Sequence, residues 1–427
     1  MIETTIFDFM YPKYKIQTPI RLIELFGGYG SQALALKYLG AKFEHWKLVE
    51  WAVKSIQAYK DIHMEEDNQD YSKNMSIEEI KDYLFNKGIS SNYNEPMNRK
   101  QVDRLNETQA RTIYNNIQAT HNLVNIQQVK GEDLEIKDTD KYTYIMTYSF
   151  PCQDLSLAGK GKGMSDTSTR SGMLWEVERI LSELKEKPQV LLMENVPQVH
   201  GEGNTEDFNK WQLRLEELGY KNYWQDLIAT DYGIPQTRNR CFMVSLLGDY
   251  SYKFPQPIPL KLKLKDMLES NVDQKYYLSD KMISFYIFNS DKQEKSGNGF
   301  RFEPVAEESA KVCKTITTRN GSRMDDNFIT NKPLRETLEK YENQVIKPEQ
   351  FIDSYNRTIR QDDLASTLST RVDASNNNYL LVKNANSKGY LEATEGDGVD
   401  ISGRMQYHRG TVQKDKVQSI TCGGGTI

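Results

Sequence analysis

Strand-like and helix-like patterns of apolar and polar residues alternate along residues 20–250. Short runs rich in β-branched and aromatic residues predict strands, and stretches with an apolar residue at every third or fourth position predict helices. The predicted strands are 20–26, 47–49, 142–148, 189–193 and 241–246, and the predicted helices are 32–39, 51–59, 173–184 and 208–218. Strands that alternate with helices predict an α/β fold, with a parallel-rich sheet covered on both faces.

Polar residues follow the ends of these predicted strands. A glycine turn follows the first strand, Glu50 the second, Cys152 the third and Glu194 the fourth. In open α/β sheets, ligands bind beyond the carboxyl ends of the strands. We therefore predict that the functional site lies along this edge of the sheet.

A polar, Asn-rich and charged stretch, residues 60–128, interrupts the alternation. Its segment 75-MSIEEIKDYLF-85 has helical periodicity, so we predict a helical insertion. The sequence assigns no chemistry to this insertion.

After about residue 250, helical patterns become scarce and polar β-like segments dominate. Three related pieces, 315-TITTR-319, 367-TLSTR-371 and 419-SITCG-423, recur 52 residues apart. They predict a β-rich second domain of similar hairpins, unless the similarity is a chance property of threonine-rich strands. The predicted domains are 1–250, which includes the insertion, and 251–427.

Composition narrows the class of protein. The 427 residues carry a formal net charge of −5, so a nucleic-acid partner would need a locally basic cleft on an acidic body. Four widely spaced cysteines and five histidines argue against a disulfide framework or a zinc site, and we predict no metal and a reducing cytoplasm. The sequence has no run of about 18 apolar residues, and its first residues lack the pattern of a signal peptide.

The stretch 24-ELFGGYG-30 predicts a strand, a glycine turn and the start of a helix. Glycines there permit a tight turn and a close approach of a ligand to the backbone, although a structural turn is an alternative. The next strand ends in 48-LVEW-51, where an acid accepts hydrogen bonds from ribose hydroxyls in nucleotide-binding folds. Together the two motifs indicate an adenosine-containing ligand.

Cys152 follows Pro151 and precedes the polar loop 159-GKGKGMSDTSTR-170. A thiol needs nearby positive charge or a helix N-terminus to act as a thiolate at neutral pH. The proline and the loop favour an accessible nucleophile over a buried structural thiol.

Two further motifs carry candidate chemistry. In 191-LLMENVPQV-199, Glu194 ends a strand, and such a carboxyl can donate a proton to a ring nitrogen or simply cap a helix. In 232-YGIPQTRNRCFMV-244, Arg238 and Arg240 are two residues apart on an extended chain and therefore share one face. They could clamp a phosphate or a base carbonyl, or be solvated on an edge strand.

The order of these motifs resembles the DNA cytosine-5 methyltransferases over about residues 20–245, and especially their bacteriophage and prophage branch. The matching motifs are ELFGGYG, Glu50-Trp51, PCQ at 151–153, Arg170 after the loop, ENV at 194–196 and Q-x-R-x-R at 236–240. The resemblance implies a Rossmann-like domain that binds S-adenosyl-L-methionine, followed by a β-rich target-recognition domain.

The resemblance also implies roles for individual residues. The cofactor would be held by Phe26, Gly28, Gly30, Glu50, Trp51, Asp133, Pro151 and Leu174. Cys152 would attack a flipped-out cytosine, with Glu194 at N3 of the base and Arg238 and Arg240 beside it. Contacts to double-stranded DNA would come from Gln153, Lys160, Lys162, Arg170, Gln236, Arg319 and Arg371.

The sequence departs from this family toward its end. No R-x-L-T-P-R-E segment or G-N-[SA]-V motif is visible before 421-TCGGGTI-427. We therefore expect a truncated or split enzyme that a second polypeptide completes. The alternatives are an enzyme that keeps weak activity without these elements, and a protein that binds cofactor and DNA without turnover. A tRNA cytosine-5 methyltransferase is a further alternative, which the long second domain disfavours. We also expect a bacterial or phage-encoded enzyme, with a cognate restriction endonuclease as a possible partner.

Overall fold

The computed structural model describes residues 12–151, 171–270, 272–295, 301–317 and 323–330, and six short strands between residues 352 and 413. The chain divides into two compact units, Met1–Leu260 and Lys261–Ile427, where the sequence predicts a boundary near residue 250. Seven of the predicted site residues lie outside the described residues: Cys152, Gln153, Lys160, Lys162, Arg170, Arg319 and Arg371.

Within the described residues, a six-stranded sheet forms the centre of the first unit. Its strands are β1 (Ile20–Leu25), β2 (Phe43–Val49), β3 (Thr143–Tyr148), β4 (Val190–Asn195), β5 (Tyr220–Ile228) and β6 (Asn239–Leu247). They lie in the order β2-β1-β3-β4-β6-β5. β1 pairs in parallel with β2 and β3, and β3 pairs in parallel with β4, as the alternation of strands and helices predicts.

The last part of the sheet departs from the parallel arrangement. β6 pairs antiparallel with both β4 and β5, and β5 is a strand that the sequence pattern did not predict. Only Tyr220 of β5 is buried, because the strand lies at the edge of the sheet, and no clean alternation of apolar residues marks it. Since β6 runs opposite to β4, the start of β6 lies beside the end of β4.

Helices pack around this sheet. Those of the first unit are α1 (Ser31–Tyr38), α2 (Val53–His63), α3 (Ile77–Lys87), α4 (Arg99–Asp103), α5 (Glu107–Ala119), α6 (Leu174–Glu183) and α7 (Thr205–Glu217). The apolar faces of α6 and α7 join the main core with residues of β1, β3 and β4. Trp211 of α7 is fully buried there and donates its indole N–H to the Tyr148 hydroxyl at 3.2 Å. Burial of each large apolar side chain in this core contributes about 1.5–3 kcal/mol.

Residues 60–128 contain α3, α4 and α5, joined by loops, so the insertion carries helices as its periodicity predicts. Ser76 caps the start of α3 and forms a capping box with Glu79, and Gly88 caps its end with a φ of 68° that suits a glycine. Apolar residues of α3 and α5 form a second buried cluster that includes Ile56 of α2. The insertion is therefore packed onto α2, the helix that follows Glu50.

The second unit contains α8 (Asp280–Lys295), a helix of 16 residues that the sequence pattern did not predict. Ile283 and Ile287, one turn apart, are buried in a small apolar cluster. The described strands of this unit are short: β7 (Val305–Ala306), β8 (Ile329–Thr330), β9 (Ile352–Asp353), β10 (Thr358–Ile359), β11 (Leu380–Lys383), β12 (Tyr390–Ala393), β13 (Gly398–Asp400) and β14 (Thr411–Gln413). β7 pairs with β8 in parallel, and the following strands pair antiparallel in successive twos.

The predicted repeat of hairpins stays a prediction. Its first piece is described only at residues 315–317, which form no strand, and the other two pieces lie outside the described residues. No helix in the described part of the chain has the length and apolar character needed to cross a membrane.

Candidate active site

Glu194 and two arginines form a charged cluster at the end of β4. Arg240 Nε lies 3.1 Å from Glu194 Oε1, and Arg238 Nη2 lies 3.3 Å from the same oxygen. Ser149 donates its hydroxyl to the other carboxylate oxygen, Oε2, at 3.1 Å. The side chains of Glu194 and Arg240 are 18% and 19% exposed, whereas Arg238 is 40% exposed, so Arg240 is the more sheltered of the two cations.

Strand geometry brings these side chains together. Arg238 directly precedes β6 and Arg240 is its second residue, and both project toward one carboxylate, as their spacing predicts. The antiparallel register pairs Glu194 with Phe242, which sets the arginines beside the carboxyl end of β4. The spacing of the two arginines thus predicts that their side chains share one face, and the pairing of β6 with β4 places Glu194 against that face. Gln236 precedes this pair and is half-buried, and its backbone N–H donates to Ile234 C=O at 2.7 Å.

The chain that leads to Cys152 is tied to the same edge of the sheet. Cys152 itself lies outside the described residues, whereas Ser149, Phe150 and Pro151 are described. Asn195, the residue after Glu194, is 3% exposed and donates its side-chain amide to Phe150 C=O at 3.0 Å. The ends of β3 and β4 are therefore linked directly before the predicted nucleophile.

The cysteines of the described residues, Cys241 and Cys313, are both buried. Burial raises the pKa of Cys241 to about 12, and the charge of Asp226 and its hydrogen bond to the thiol act in the same direction. Burial also raises the pKa of Cys313. Neither thiol is suited to act as a thiolate at neutral pH.

Asp226 also binds His200, whose Nε2 lies 2.9 Å from Oδ1 of the carboxylate. His200, Asp226 and Cys241 place three atoms of the kind that bind metals within 4.8 Å of one another, a grouping that the sequence spacing did not predict. The hydrogen bonds among the three side chains account for the grouping as a structural cluster.

The glycine turn follows β1 as predicted. Phe26, Gly28 and Gly30 have φ values of 56°, 57° and 79°. A Cβ at Gly30 would lie 2.4 Å from His63 Nε2, so the turn requires glycine there. A Cβ at Gly28 would meet nothing within 4 Å, so the backbone at this position is open to a ligand.

Glu50 lies directly after β2 and is 9% exposed. Its Oε2 accepts a hydrogen bond from Gly28 N–H at 3.0 Å, and its Oε1 accepts one from Ala52 N–H at 2.7 Å. Burial raises the pKa of Glu50, and these hydrogen bonds oppose the shift. A carboxylate has about four acceptor positions, so Glu50 keeps capacity for ribose hydroxyls. The open backbone at Gly28 and the acid beside it fit an adenosine-containing cofactor.

The other predicted cofactor residues lie in different surroundings. Trp51 is partly buried and packs against the apolar cluster of the insertion. Leu174 is fully buried in the main core, and Pro151 is half-buried. Asp133 Oδ2 accepts a hydrogen bond from Lys130 N–H at 2.8 Å, so one of its oxygens caps the turn Gly131–Leu134.

Sequence reasoning missed two residues of this edge, Ser149 and Asn122. Ser149 stands between a predicted strand and the PCQ motif, and this position was a signal that could have found it. Asn122 bonds to both backbone groups of Glu50 from the far end of the insertion, and no local feature distinguishes it from the other asparagines there.

Comparison with known proteins identifies relatives of the chain. Residues 93–394 match the family described as C-5 cytosine-specific DNA methylase. The chain is 38% identical over 270 residues to the type II methyltransferase M2.ScrFI of Lactococcus lactis subsp. cremoris. The aligned region is 62% of this chain and 72% of the relative. It is also 38% identical over 269 residues to the orphan methyltransferase M.SssI of Spiroplasma monobiae, and this aligned region is 61% of this chain and 68% of the relative. Among solved structures, the S. pombe Dnmt2 methyltransferase aligns with a TM-score of 0.45 and 15% identity, over 77% of this chain and 81% of that chain.

The extent of these matches decides the family. The matched residues 93–394 include β3, β4 and β6, and therefore the Glu194 cluster, and they continue into the second unit. The two bacterial relatives are matched over 72% and 68% of their own length. This chain belongs to the family of C-5 cytosine-specific DNA methylases.

Proposed function

We propose that this enzyme, a DNA cytosine-5 methyltransferase that uses S-adenosyl-L-methionine, works through a covalent bond between Cys152 and carbon 6 of a cytosine in a specific duplex sequence. Carbon 5 of cytosine is a poor nucleophile inside the aromatic ring. Addition of the Cys152 thiolate to carbon 6 converts the ring to an enamine, which makes carbon 5 nucleophilic. The target base must leave the double helix, because its reacting atoms are not accessible within the base stack.

The surroundings of Glu194 carry this proposal. Two guanidinium groups hold Oε1 and Ser149 holds Oε2, on the sheet edge where Asn195 ties down the chain that enters Cys152. Glu194 would bind N3 of the base and pass to N3 a proton taken up from solvent, so that negative charge does not accumulate on the ring as the thiolate adds. Arg240, with Arg238, would bind O2 of the base or a nearby phosphate.

The cofactor site would lie at the neighbouring strand ends. S-adenosyl-L-methionine, when bound, supplies an electrophilic methyl group. Gly28 would allow it close to the backbone, and the remaining acceptor positions of Glu50 suit the ribose hydroxyls. After carbon 5 is methylated, a base such as a water molecule would take its proton, and the electrons of that carbon–hydrogen bond would restore the double bond between carbons 5 and 6. The Cys152 sulfur then leaves as a thiolate, and the N3 proton returns to Glu194.

Several finer assignments stay predictions. We propose that the second unit, Lys261–Ile427, reads the duplex sequence. The reason is that it follows the unit that carries the Glu194 cluster along the chain. Contacts to DNA from Gln153, Lys160, Lys162, Arg170, Arg319 and Arg371 concern positions outside the described residues. A cognate endonuclease and a second polypeptide that completes the enzyme are also predictions from sequence.

The test is methyl transfer by the Cys152→Ser variant. Wild-type protein, S-adenosyl-L-methionine and unmethylated plasmid DNA are incubated, the DNA is digested to nucleosides, and 5-methylcytosine is quantified by mass spectrometry. We expect no product from Cys152→Ser with cofactor binding retained, because the serine hydroxyl is a far weaker nucleophile. The control is Cys313→Ser, whose thiol is buried in the second unit and should not affect the rate.

Wild-type rates from Cys152→Ser would refute the covalent mechanism. Faster methylation of tRNA than of duplex DNA by the wild-type protein would refute the assignment of DNA as the substrate.

A further inference from the structure

The insertion, residues 60–128, contacts the cofactor-site edge of the sheet near its last residues. Its last residues meet Glu50, the acid of the cofactor site, through the side chain of Asn122. We infer that Asn122 is a positioning residue for Glu50, through which the insertion supports the cofactor site. This inference rests on the proposed function, since it concerns the same site.

Asn122 holds Glu50 by both of its backbone groups. Its Oδ1 accepts a hydrogen bond from Glu50 N–H at 3.1 Å, and its Nδ2 donates to Glu50 C=O at 2.9 Å. Asn122 is 5% exposed, and Oδ1 also accepts from Val124 N–H at 2.9 Å. The side-chain amide thus takes the place of a neighbouring strand at the point where β2 has ended. Fixing the Glu50 backbone fixes the origin of its side chain.

The backbone around Asn122 is held against β2. Leu48 N–H donates to His121 C=O at 3.3 Å, and Leu123 N–H donates to Leu48 C=O at 2.8 Å. His121 and Val124 have φ values of 47° and 73°. A positive φ is strained for a β-branched residue such as Val124, and such strain persists where the surroundings determine the conformation. The local chain is therefore bent so that the Asn122 side chain faces Glu50.

The insertion also forms backbone hydrogen bonds with the residues after Glu50. Ser90, fully buried, donates its backbone N–H to Trp51 C=O at 2.7 Å and accepts Val53 N–H at 2.9 Å. Residues 50–53 are therefore held at one end by Asn122 and at the other by Ser90. Both come from the insertion, although they are far apart in its sequence.

The link continues into the glycine turn. The carboxylate of Glu50 accepts hydrogen bonds from Gly28 N–H and Ala52 N–H, so a displaced Glu50 backbone would lose one or both of these bonds. Loss of Asn122 should therefore weaken cofactor binding through Glu50, without direct contact between Asn122 and the reacting atoms.

The test is Asn122→Ala in the full chain, with Asn116→Ala as a matched control. Asn116 is also a buried asparagine of the insertion, 7% exposed. Its side-chain amide donates to Oε1 of Gln57 on α2 at 2.6 Å. Both variants should lower Tm. Only Asn122→Ala should raise the Kd and KM for S-adenosyl-L-methionine, by about tenfold, the equivalent of one hydrogen bond from a misplaced Glu50 carboxylate to the cofactor, while kcat at saturating cofactor and KM for DNA stay unchanged.

A second variant separates folding from positioning. Asn122→Asp keeps the volume and the acceptor but removes the donor to Glu50 C=O, and it should also raise the cofactor Kd. If both Asn122 variants fold and bind S-adenosyl-L-methionine with wild-type Kd, the positioning role is refuted. If the wild-type protein itself neither binds the cofactor nor forms 5-methylcytosine, the proposed function fails instead.

Discussion

Glu24 lies on β1 just before the glycine turn and is fully buried. Its Oε1 accepts Ala33 N–H at 3.3 Å, which caps α1, and its Oε2 accepts the Tyr59 hydroxyl at 2.6 Å. Burial raises the pKa of Glu24 to about 7, and the hydrogen bonds only partly oppose the shift. Replacing Glu24 with glutamine removes this titration and keeps the shape of the side chain.

The raised pKa makes the first unit less stable as pH rises. Between the ordinary pKa of 4.5 and about 7, folded Glu24 keeps a proton that the unfolded chain releases. This stabilisation is fully present below pH 4.5 and is lost as pH rises through 7. At about 1.36 kcal/mol per pH unit, the shift from 4.5 to about 7 corresponds to about 3 kcal/mol. With an unfolding entropy of about 2.1 cal/mol/K per residue over Met1–Leu260, that is about 6 °C in Tm.

The glutamine is compatible with the same hydrogen bonds. Its Oε1 can accept Ala33 N–H, and its Nε2 can donate to the Tyr59 oxygen, provided that the Tyr59 hydroxyl turns to donate to His45 Nδ1, which lies 2.8 Å away. His45 is suited to accept, because burial lowers its pKa to about 4 and keeps the imidazole neutral at pH 7. His45 makes stability rise with pH between about 4 and 6.5, in the opposite direction to Glu24.

The assay is Tm by differential scanning calorimetry from pH 5 to 8 for wild type and Glu24→Gln. We expect the Tm of Glu24→Gln minus that of wild type to increase by about 5 °C across this range, because pH 5 to 8 contains most but not all of the interval between the two pKa values. Glu79→Gln is the control. Hydrogen bonds from Ser76 lower the pKa of Glu79, so Glu79 changes the pH dependence of stability only below about pH 4.5. The Tm profile of Glu79→Gln from pH 5 to 8 should therefore parallel that of wild type. Parallel profiles for wild type and Glu24→Gln would refute the reasoning.

Two further predictions concern the turn and the arginines. Gly30→Ala should lower Tm and raise the cofactor Kd more than Gly40→Ala, because both have positive φ but only a Cβ at Gly30 would clash, at 2.4 Å from His63 Nε2; similar losses in calorimetry would contradict this. Arg240→Lys should reduce kcat for DNA methylation more than Arg238→Lys, because Arg240 is 19% and Arg238 40% exposed beside Glu194. Equal losses in steady-state kinetics would show that the more exposed arginine matters as much.

Local patterns sufficed for the first four strands and for the motifs at their ends. Glycines after β1 and Glu50 after β2 could be predicted because strand ends in a parallel sheet share an edge, and the structure joins them by the bond from Gly28 N–H to the Glu50 carboxylate. The shared direction of Arg238 and Arg240 could be predicted from the period of a strand.

Long-range pairing escaped prediction. β5 was missed because an edge strand with one buried residue carries no clear apolar rhythm. The antiparallel direction of β6 was missed because the run 241–246 looks the same in either direction, and only its pairing with β4 sets Arg240 beside Glu194. In the second unit, α8 was missed where polar β-like segments were expected.

By itself, the sequence determined which residue types stand at the strand ends, their order along the chain and hence the family that the chain resembles. Only the tertiary structure decided that Asn122, 72 residues from Glu50, holds that acid in place, and that Ser149 and two arginines share the carboxylate of Glu194. The physical reason is the range of the interactions. Helix and strand periods arise from neighbouring residues, whereas a hydrogen bond between distant residues depends on how whole elements pack.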